Sequence, residues 1–518
     1  MDSNKLKVIL VVIFAAFAAV YLGIAAATAQ LEAIAWVLGG TLSVIVLALG
    51  RHVWMLIPLT VGLGGAINAF PGSPPPWALA GFLAGSVLLL RILMRKTHEF
   101  QVKLSLLDFA VLLNVAVIFQ AYARNPTGLM MMGGDLVGGK PYILFAAAIG
   151  CYFLLSIIRT DFKFIKIGIY LTILGAVIDG LFKIITQMIP GVGAKVLPIY
   201  SGVTARTAFS GAEFDLEASR LEGGKDAGPP LLNLAFGLFR PLQTINPLYL
   251  KAFMLAASGG ILIILSGFRS IIAYALLMFI AGTLLRRKFI DLVFLAVLGF
   301  LGLIMIAASG LATKLPASAQ RVLAPVQFIE IDPFIRQAAE GSGKDRFEMW
   351  RLALFTDRYI KNKWLGDGFA YSADEQRAKM EIALGGSTFS HGFGFVESSL
   401  ASGSYHGFHV ETIRFTGGVG LACAVFLMLV CAVNAWNITS RYRKQPEFGP
   451  LAVLAIPFLV YPVQALLIFG AYRAQFPQFI VLAGLLKMIE NNLRAEAGAA
   501  KNLPRTERDQ PERAARAA

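Results

Sequence analysis

Only three of the 518 residues are cysteine. Cys151, Cys423 and Cys431 each lie inside an apolar run, which excludes a disulfide framework and a Cys-ligated metal site. Charge is scarce as well. Asp, Glu, Lys and Arg make up 15% of the chain, against roughly 25% in a soluble domain. Acidic residues are the scarcer kind, 31 against 46 Lys and Arg, for a net charge of +15. A basic excess can mark nucleic-acid binding, but the cations form no patch or stripe here. They gather in short turns between apolar runs: "RHVW" from Arg51, "RKTHEFQVK" from Arg95, "RTDFKFIK" from Arg159, "RRK" from Arg286 and "RYRK" from Arg441. Such turns mark the cytoplasmic side of a membrane protein, and no nucleic-acid partner is expected.

What the chain has in abundance is hydrocarbon. It is 57% hydrophobic, with a mean hydropathy of +0.68. Runs of roughly 17 to 25 apolar residues recur, long enough to cross a bilayer as helices. Expected spans lie near 7–28, 33–50, 53–70, 77–94, 106–122, 142–158, 164–188, 248–266, 269–285, 289–312, 411–437, 448–470 and 474–490. The first, "MDSNKLKVILVVIF", reads as an uncleaved span. If the basic turns at 286 and 441 both face the cytoplasm, one further crossing is needed between 189 and 286. The short stretch "PLLNLAFGLFRPLQTI" (230–245) can supply it, with Arg240 snorkelling to the headgroups.

The expected fold is thus an all-α polytopic membrane protein of about 14 transmembrane helices with one large, partly helical periplasmic loop. N-terminal spans occupy 1–188, a smaller periplasmic segment 189–229, further spans 230–312, the large loop 313–410, and C-terminal spans 411–490. A basic cytoplasmic tail, expected to be disordered, follows over 491–518. The large loop is electrically neutral, with 11 Lys/Arg and 11 Asp/Glu. Within it, "DRFEMWRLALFTDRYIKNKWLGDGF" places Phe347, Trp350 and Leu354 at helical spacing. This predicts an amphipathic helix stopping at Gly366.

Three stretches carry chemistry. In "LIILSGFRSIIAYALLMFI", Arg269 opens a span just after a Ser-Gly break; alone, it reads equally as an arginine snorkelling at a helix end. In the large loop, Arg346 and Trp350 stand four apart, on one helical face. In "SYHGFHVETIRFTGGVG", His406 stands eleven residues before Gly417, and His409, Glu411 and Arg414 share its neighbourhood. Any one of these can instead be a helix cap. Asp179 and Lys183, four apart within one span, are expected to neutralise each other.

Together these stretches resemble the bacterial O-antigen ligase and O-antigen polymerase superfamily. In that family an Arg opens a span after a Ser-containing break, and a large loop carries Arg and Trp followed by Gly-x-Gly. A His then precedes Gly-x-x-G at the next span by eleven residues. The matching positions are Arg269, Arg346 with Trp350, Gly366 and Gly368, then His406 with Gly417 and Gly420, over residues 255–440. One position departs: the family has a polar residue after the His, and Gly407 stands here, so that His409 or Ser404 would have to substitute.

The resemblance implies glycan transfer at the periplasmic face of the inner membrane from an undecaprenyl-pyrophosphate-linked oligosaccharide to a sugar hydroxyl. His406 would be the base, with Glu397 and Glu411 as other candidates, and Arg269 and Arg346 would hold the pyrophosphate. Arg206, Arg220, Trp350, His409, Glu411 and Arg414 are the expected substrate-binding residues. No metal or cofactor is expected; the outward carboxylate pairs Glu213/Asp215 and Glu330/Asp332 are the alternative a metal would need. Expected partners are the membrane lipid itself and chain-length regulator or flippase proteins. A polymerase is expected before a ligase acting on lipid A core. A polar-lipid transporter would need charges near the midplane, where this chain has few.

Overall fold

The structure, a computed structural model, describes residues 49–70, 72–94, 100–127, 139–203, 220–369, 396, 399–400, 403 and 405–502. Two compact units divide the chain, Met1–Trp54 with Leu83–Lys96 and Met55–Phe82 with Thr97–Ala518. The candidate site lies wholly within the second. Across the described residues the fold is helical, with only two isolated bridges, Ile67 to Tyr200 and Phe100 to Ile158.

In chain order the helices are α1 (Leu56–Val61), α2 (Pro76–Leu93), α3 (Leu106–Arg124), α4 (Lys140–Ile157), α5 (Phe162–Met188) and α6 (Pro190–Val196). Next come α7 (Gly224–Leu238), α8 (Pro241–Ile245), α9 (Leu250–Ser266), α10 (Arg269–Arg286) and α11 (Phe289–Ser309). Then follow α12 (Ala317–Leu323), α13 (Pro333–Phe355), α14 (Phe408–Arg441), α15 (Phe448–Val463) and α16 (Tyr472–Asn502). Among the described residues eight helices are long and apolar enough to cross a membrane: α2, α3, α4, α5, α10, α11, α14, and α15 continued to Ile468. The chain is a multi-pass α-helical membrane protein. Helix α9 is apolar but shorter, at 17 residues.

The apolar runs locate most of these helices to within a few residues, and the exceptions have local causes. The expected spans at 7–28 and 33–50 lie outside the described residues, apart from 49 and 50. Residues 53–70 do not form one span. Helix α1 stops at Val61, and the glycine-rich stretch after it pairs with residues 197–203. Asn68 N donates to the Ile199 carbonyl at 2.8 Å and Ser201 N to that of Ala66 at 2.9 Å. Gly65 has φ +76° and no room for a side chain beside Gly202. Non-helical backbone persists at membrane depth where other protein covers it.

Residues 230–245 also do not form one span. Pro241 disfavours helical backbone at Arg240, so α7 ends at Leu238 and α8 starts anew. Arg240 lies 3.5 Å from the buried Asp291. Helix α16 continues through the first part of the expected disordered tail, to Asn502. Buried Asn491 and Asn492 donate to the Ser156 and Ile158 carbonyls at 2.9 and 3.0 Å. They thereby satisfy acceptors that the end of α4 leaves free.

Helix α7 sits among α5, α9 and α15, presenting small residues where backbones approach. A Cβ on Gly228 would fall 2.9 Å from the Gly259 carbonyl of α9, and one on Gly237 would fall 2.4 Å from Val453 of α15. A buried polar knot ties α3, α4 and α16. Asp108 completes a capping box with Ser105, accepts the Tyr152 hydroxyl at 2.8 Å and meets Lys487 at 3.1 Å. Lys183 lies 2.7 Å from Asp179 and 2.8 Å from Asp226. The Asp179–Lys183 pair is thus neutralised as expected, with a second carboxylate from α7.

Candidate functional site

The Ser-Gly break before Arg269 is a helix stop. Gly267 takes φ +67°, where a Cβ is disfavoured, and its N–H returns to the Ile264 carbonyl. Phe268 is extended, and Arg269 begins α10. The chain then climbs through α11 and α12 to α13, which Asp332 caps by accepting the Phe334 N–H at 2.8 Å. Arg269 Nη2 donates to the Ala339 carbonyl of α13 at 2.7 Å. Arg346 follows Ala339 by seven residues, two turns along the same face. Arg346 also stacks over Phe469, with the guanidinium 5.9 Å from the ring centre.

Four residues beyond Arg346, Trp350 reaches the histidine segment. Its indole Nε1 donates to the Tyr405 carbonyl at 2.9 Å, and its ring meets His409 edge-on at 4.7 Å. Between Tyr405 and Gly407, His406 is held at φ +48°. A non-glycine residue reaches that region at a cost of about 1–2 kcal/mol, and such strain concentrates at functional sites. Gly407 now has a physical account: a Cβ there would lie 2.7 Å from Trp350 Nε1. The position after the histidine is occupied by the indole.

The glycines of "GDGF" and "GGVG" work as one device. Helix α14 breaks at Gly417, whose φ of +77° and ψ of −178° suit glycine alone. The loop threads the gap. Asp367 N donates to the Arg414 carbonyl at 2.8 Å and Gly368 N to that of Phe415 at 3.0 Å. On the other side, Gly418 N and Val419 N donate to the carbonyls of Lys363 and Trp364 at 2.8 and 3.2 Å. Every backbone group these bonds engage is one the break would strand. The end of α3 secures the loop, with Gln120 donating to the Leu365 carbonyl at 3.1 Å and Asn125 to that of Asp367 at 2.7 Å.

This changes the expected course of α13. It ends at Phe355 rather than Gly366, and in the turn beyond it the Asp367 carboxylate accepts from the Lys361 and Asn362 N–H groups at 2.9 Å each. Its buried face also differs from the expected stripe. Met349 and Ala353 are buried with Tyr405 and Val410, whereas Phe347 is 70% exposed.

The site residues therefore separate by what they touch. Arg269, Arg346 and His406 converge at one end of the membrane helices, and Arg220 lies close enough to repel Arg269. Among the described residues, neither Arg269 nor Arg346 has a carboxylate partner. Burial and the neighbouring Arg269 charge both lower the pKa of Arg346. Burial and the Arg346 charge lower that of His406, which keeps the imidazole neutral at pH 7. Two guanidinium groups without a carboxylate partner among the described residues, beside a neutral imidazole, can bind a dense anion and accept a proton.

Arg414 is brought elsewhere. Buried at 5% exposure, it donates to the Gly368 carbonyl at 3.2 Å and faces Asp367 at 3.8 Å, so it holds the loop. Trp350 and His409 support the histidine segment, and Glu411 is buried in the first turn of α14. Arg206, Glu213, Asp215, Glu397 and Ser404 lie outside the described residues. Sequence reasoning missed Lys225 and Phe268: the Lys225 ammonium and the Arg220 guanidinium both lie over the Phe268 ring, at 5.1 and 5.0 Å. An aromatic residue beside the helix-opening arginine was the available signal. Compared with family models and with curated proteins, the chain matches none.

Proposed function

We propose that the chain is a membrane glycosyltransferase that joins undecaprenyl-pyrophosphate-linked oligosaccharides at the periplasmic face, as a polymerase of O-antigen or exopolysaccharide. The observation that carries this reading is the convergence of Arg269, Arg346 and His406, three cations or potential cations from separate elements, without a carboxylate partner for either arginine among the described residues. The reading also takes the chain to cross the inner membrane many times, with residues 313–410 on the periplasmic side.

The reaction it supports is a single displacement. A sugar hydroxyl of the acceptor attacks the anomeric carbon of the donor and gives its proton to the His406 imidazole. The bond from that carbon to the pyrophosphate oxygen breaks, with the electron pair leaving on oxygen and inversion at carbon. Arg269 and Arg346 take the departing charge, which planar guanidinium groups can hold bidentately. Because the donor's tail stays in hydrocarbon, a site at the mouth of the helices meets its headgroup without extracting the lipid.

The test is complementation of a deletion strain, scored by glycan ladder and by carrier-linked single repeat units. His406→Ala lowers transfer by about 10²–10⁴-fold, the usual loss for a positioned base, while protein level is unchanged. Arg346→Lys also fails, since a point charge does not replace the fork. Normal ladders from His406→Ala would refute the assignment of the base. Full-length polymer stranded on its carrier in the deletion strain would make the chain a ligase instead.

A further inference from the structure

A second cationic site lies at the other end of the same helices. Arg286 closes α10, the helix that Arg269 opens, about 26 Å away at the helical rise. Around it lies a cavity of about 620 Å³ lined by Lys166, Arg240, Arg286, Arg443 and Lys444, together with Tyr170 and Gln243. No Asp or Glu lines it among the described residues. Of the carboxylates near it among the described residues, Asp291 is fully buried and faces Arg240 at 3.5 Å, and Glu447 lies in the lining segment between Pro446 and Phe448 without lining the cavity itself.

Basic residues at span ends are ordinary, and most dangle in solvent. Two of these are instead built into place. Arg286 donates to the carbonyls of Phe236, Gly237 and Gly282 at 2.7, 2.6 and 3.2 Å and stacks over Phe448 at 5.0 Å. Arg443 Nε donates to the Leu285 carbonyl at 2.9 Å. Burial and the nearby Arg287 charge lower the pKa of Arg443.

The geometry points to a binding site for a phosphate-bearing anion in this cavity, distinct from the His406 site and independent of the reading proposed for it. Fixed guanidinium groups and mobile lysines around an open basic cavity between spans suit a phosphodiester headgroup. A soluble pyrophosphate offers the same chemistry.

The test uses the delipidated full-length protein in detergent. Retention of phosphatidylglycerol is compared with that of phosphatidylethanolamine by native mass spectrometry, and inorganic pyrophosphate is added separately in a thermal-shift measurement. Each surface cation contributes about a fivefold factor in affinity. Lys166→Gln/Lys444→Gln, which touches only exposed residues, should weaken binding about 25-fold, and adding Arg443→Gln about 10²-fold. Arg346→Lys should leave it unchanged. Loss of phosphatidylglycerol retention assigns a lipid, and loss of a pyrophosphate shift assigns a soluble anion. If the wild type prefers neither anion, or the double variant binds as the wild type does, no such site exists.

Discussion

Gly407→Ala is the sharpest probe of the histidine segment, because only space excludes a side chain there. The backbone at 407, φ −147° and ψ 123°, is open to any residue. The new Cβ would come within 2.7 Å of Trp350 Nε1 and 2.9 Å of Cε2. Relieving that overlap by overpacking costs about 1–3 kcal/mol. Moving the indole also strains its 2.9 Å bond to the Tyr405 carbonyl, worth about 1 kcal/mol. Together these give a loss of about 2–4 kcal/mol. Alanine is also a poorer helix cap than glycine, a cost that does not depend on Trp350. A double-mutant cycle separates the two: in a Trp350→Phe background the cap cost remains while the clash and the strained indole bond are gone, leaving a coupling of about 2–4 kcal/mol. Unfolding of the purified protein in a denaturing detergent titration measures all four corners. Equal costs of Gly407→Ala in both backgrounds would refute the claim that the indole occupies this position. On the same reasoning Gly407→Asn, which would restore the pattern of the family the chain resembles, lowers glycan transfer instead of raising it.

If His406 is the base of the proposed transfer, its lowered pKa places the acid limb of the rate below the ordinary imidazole value of 6.5. Protonation removes the base, so activity is full above that limb and falls as pH drops through it; a half-activity point above 6.5 would contradict the neutral-imidazole reading. Removing one partner of the buried Asp108–Lys487 pair leaves a charge stranded, so Lys487→Met should cost about 3–5 kcal/mol, measured by the same unfolding titration. Adding Asp108→Asn to it should recover part of the loss, and no recovery would mean the pair is not coupled. Single cysteines at Lys344 and Lys444, in a background without Cys151, Cys423 and Cys431, should differ in whole-cell labelling by an impermeant thiol reagent. Equal labelling would refute their placement at opposite faces.

The apolar runs marked α3, α4, α10 and α14 well because a span must be apolar for its whole length, a constraint written residue by residue. Broken elements were harder to read. The stretch after Val61 is as hydrophobic as a helix, and only its pairing with residues 197–203 shows that it is not one. Arg269, Arg346 and His406 stood out in the sequence through the order and spacing they share with the family pattern the chain resembles, since each alone reads equally as a residue at a helix boundary or on a periodic face. Arg414 looked like one of them, yet its guanidinium serves a loop 46 residues distant in sequence. The splice between "GDGF" and the break at Gly417 is made by backbone atoms. These carry no side-chain signature beyond the glycines themselves.

Helix α10 carries an arginine at each end, and both are tethered, Arg269 to Ala339 and Arg286 to three carbonyls. At 18 residues it is about 27 Å long, close to the roughly 30 Å of hydrocarbon in a bilayer. Sliding it by one turn in either direction would drag a guanidinium into the lipid, at about 2.5–3.5 kcal/mol or more. The helix is therefore a gauge of fixed height. It ties the level of Arg269 to the thickness of the bilayer that the helix spans.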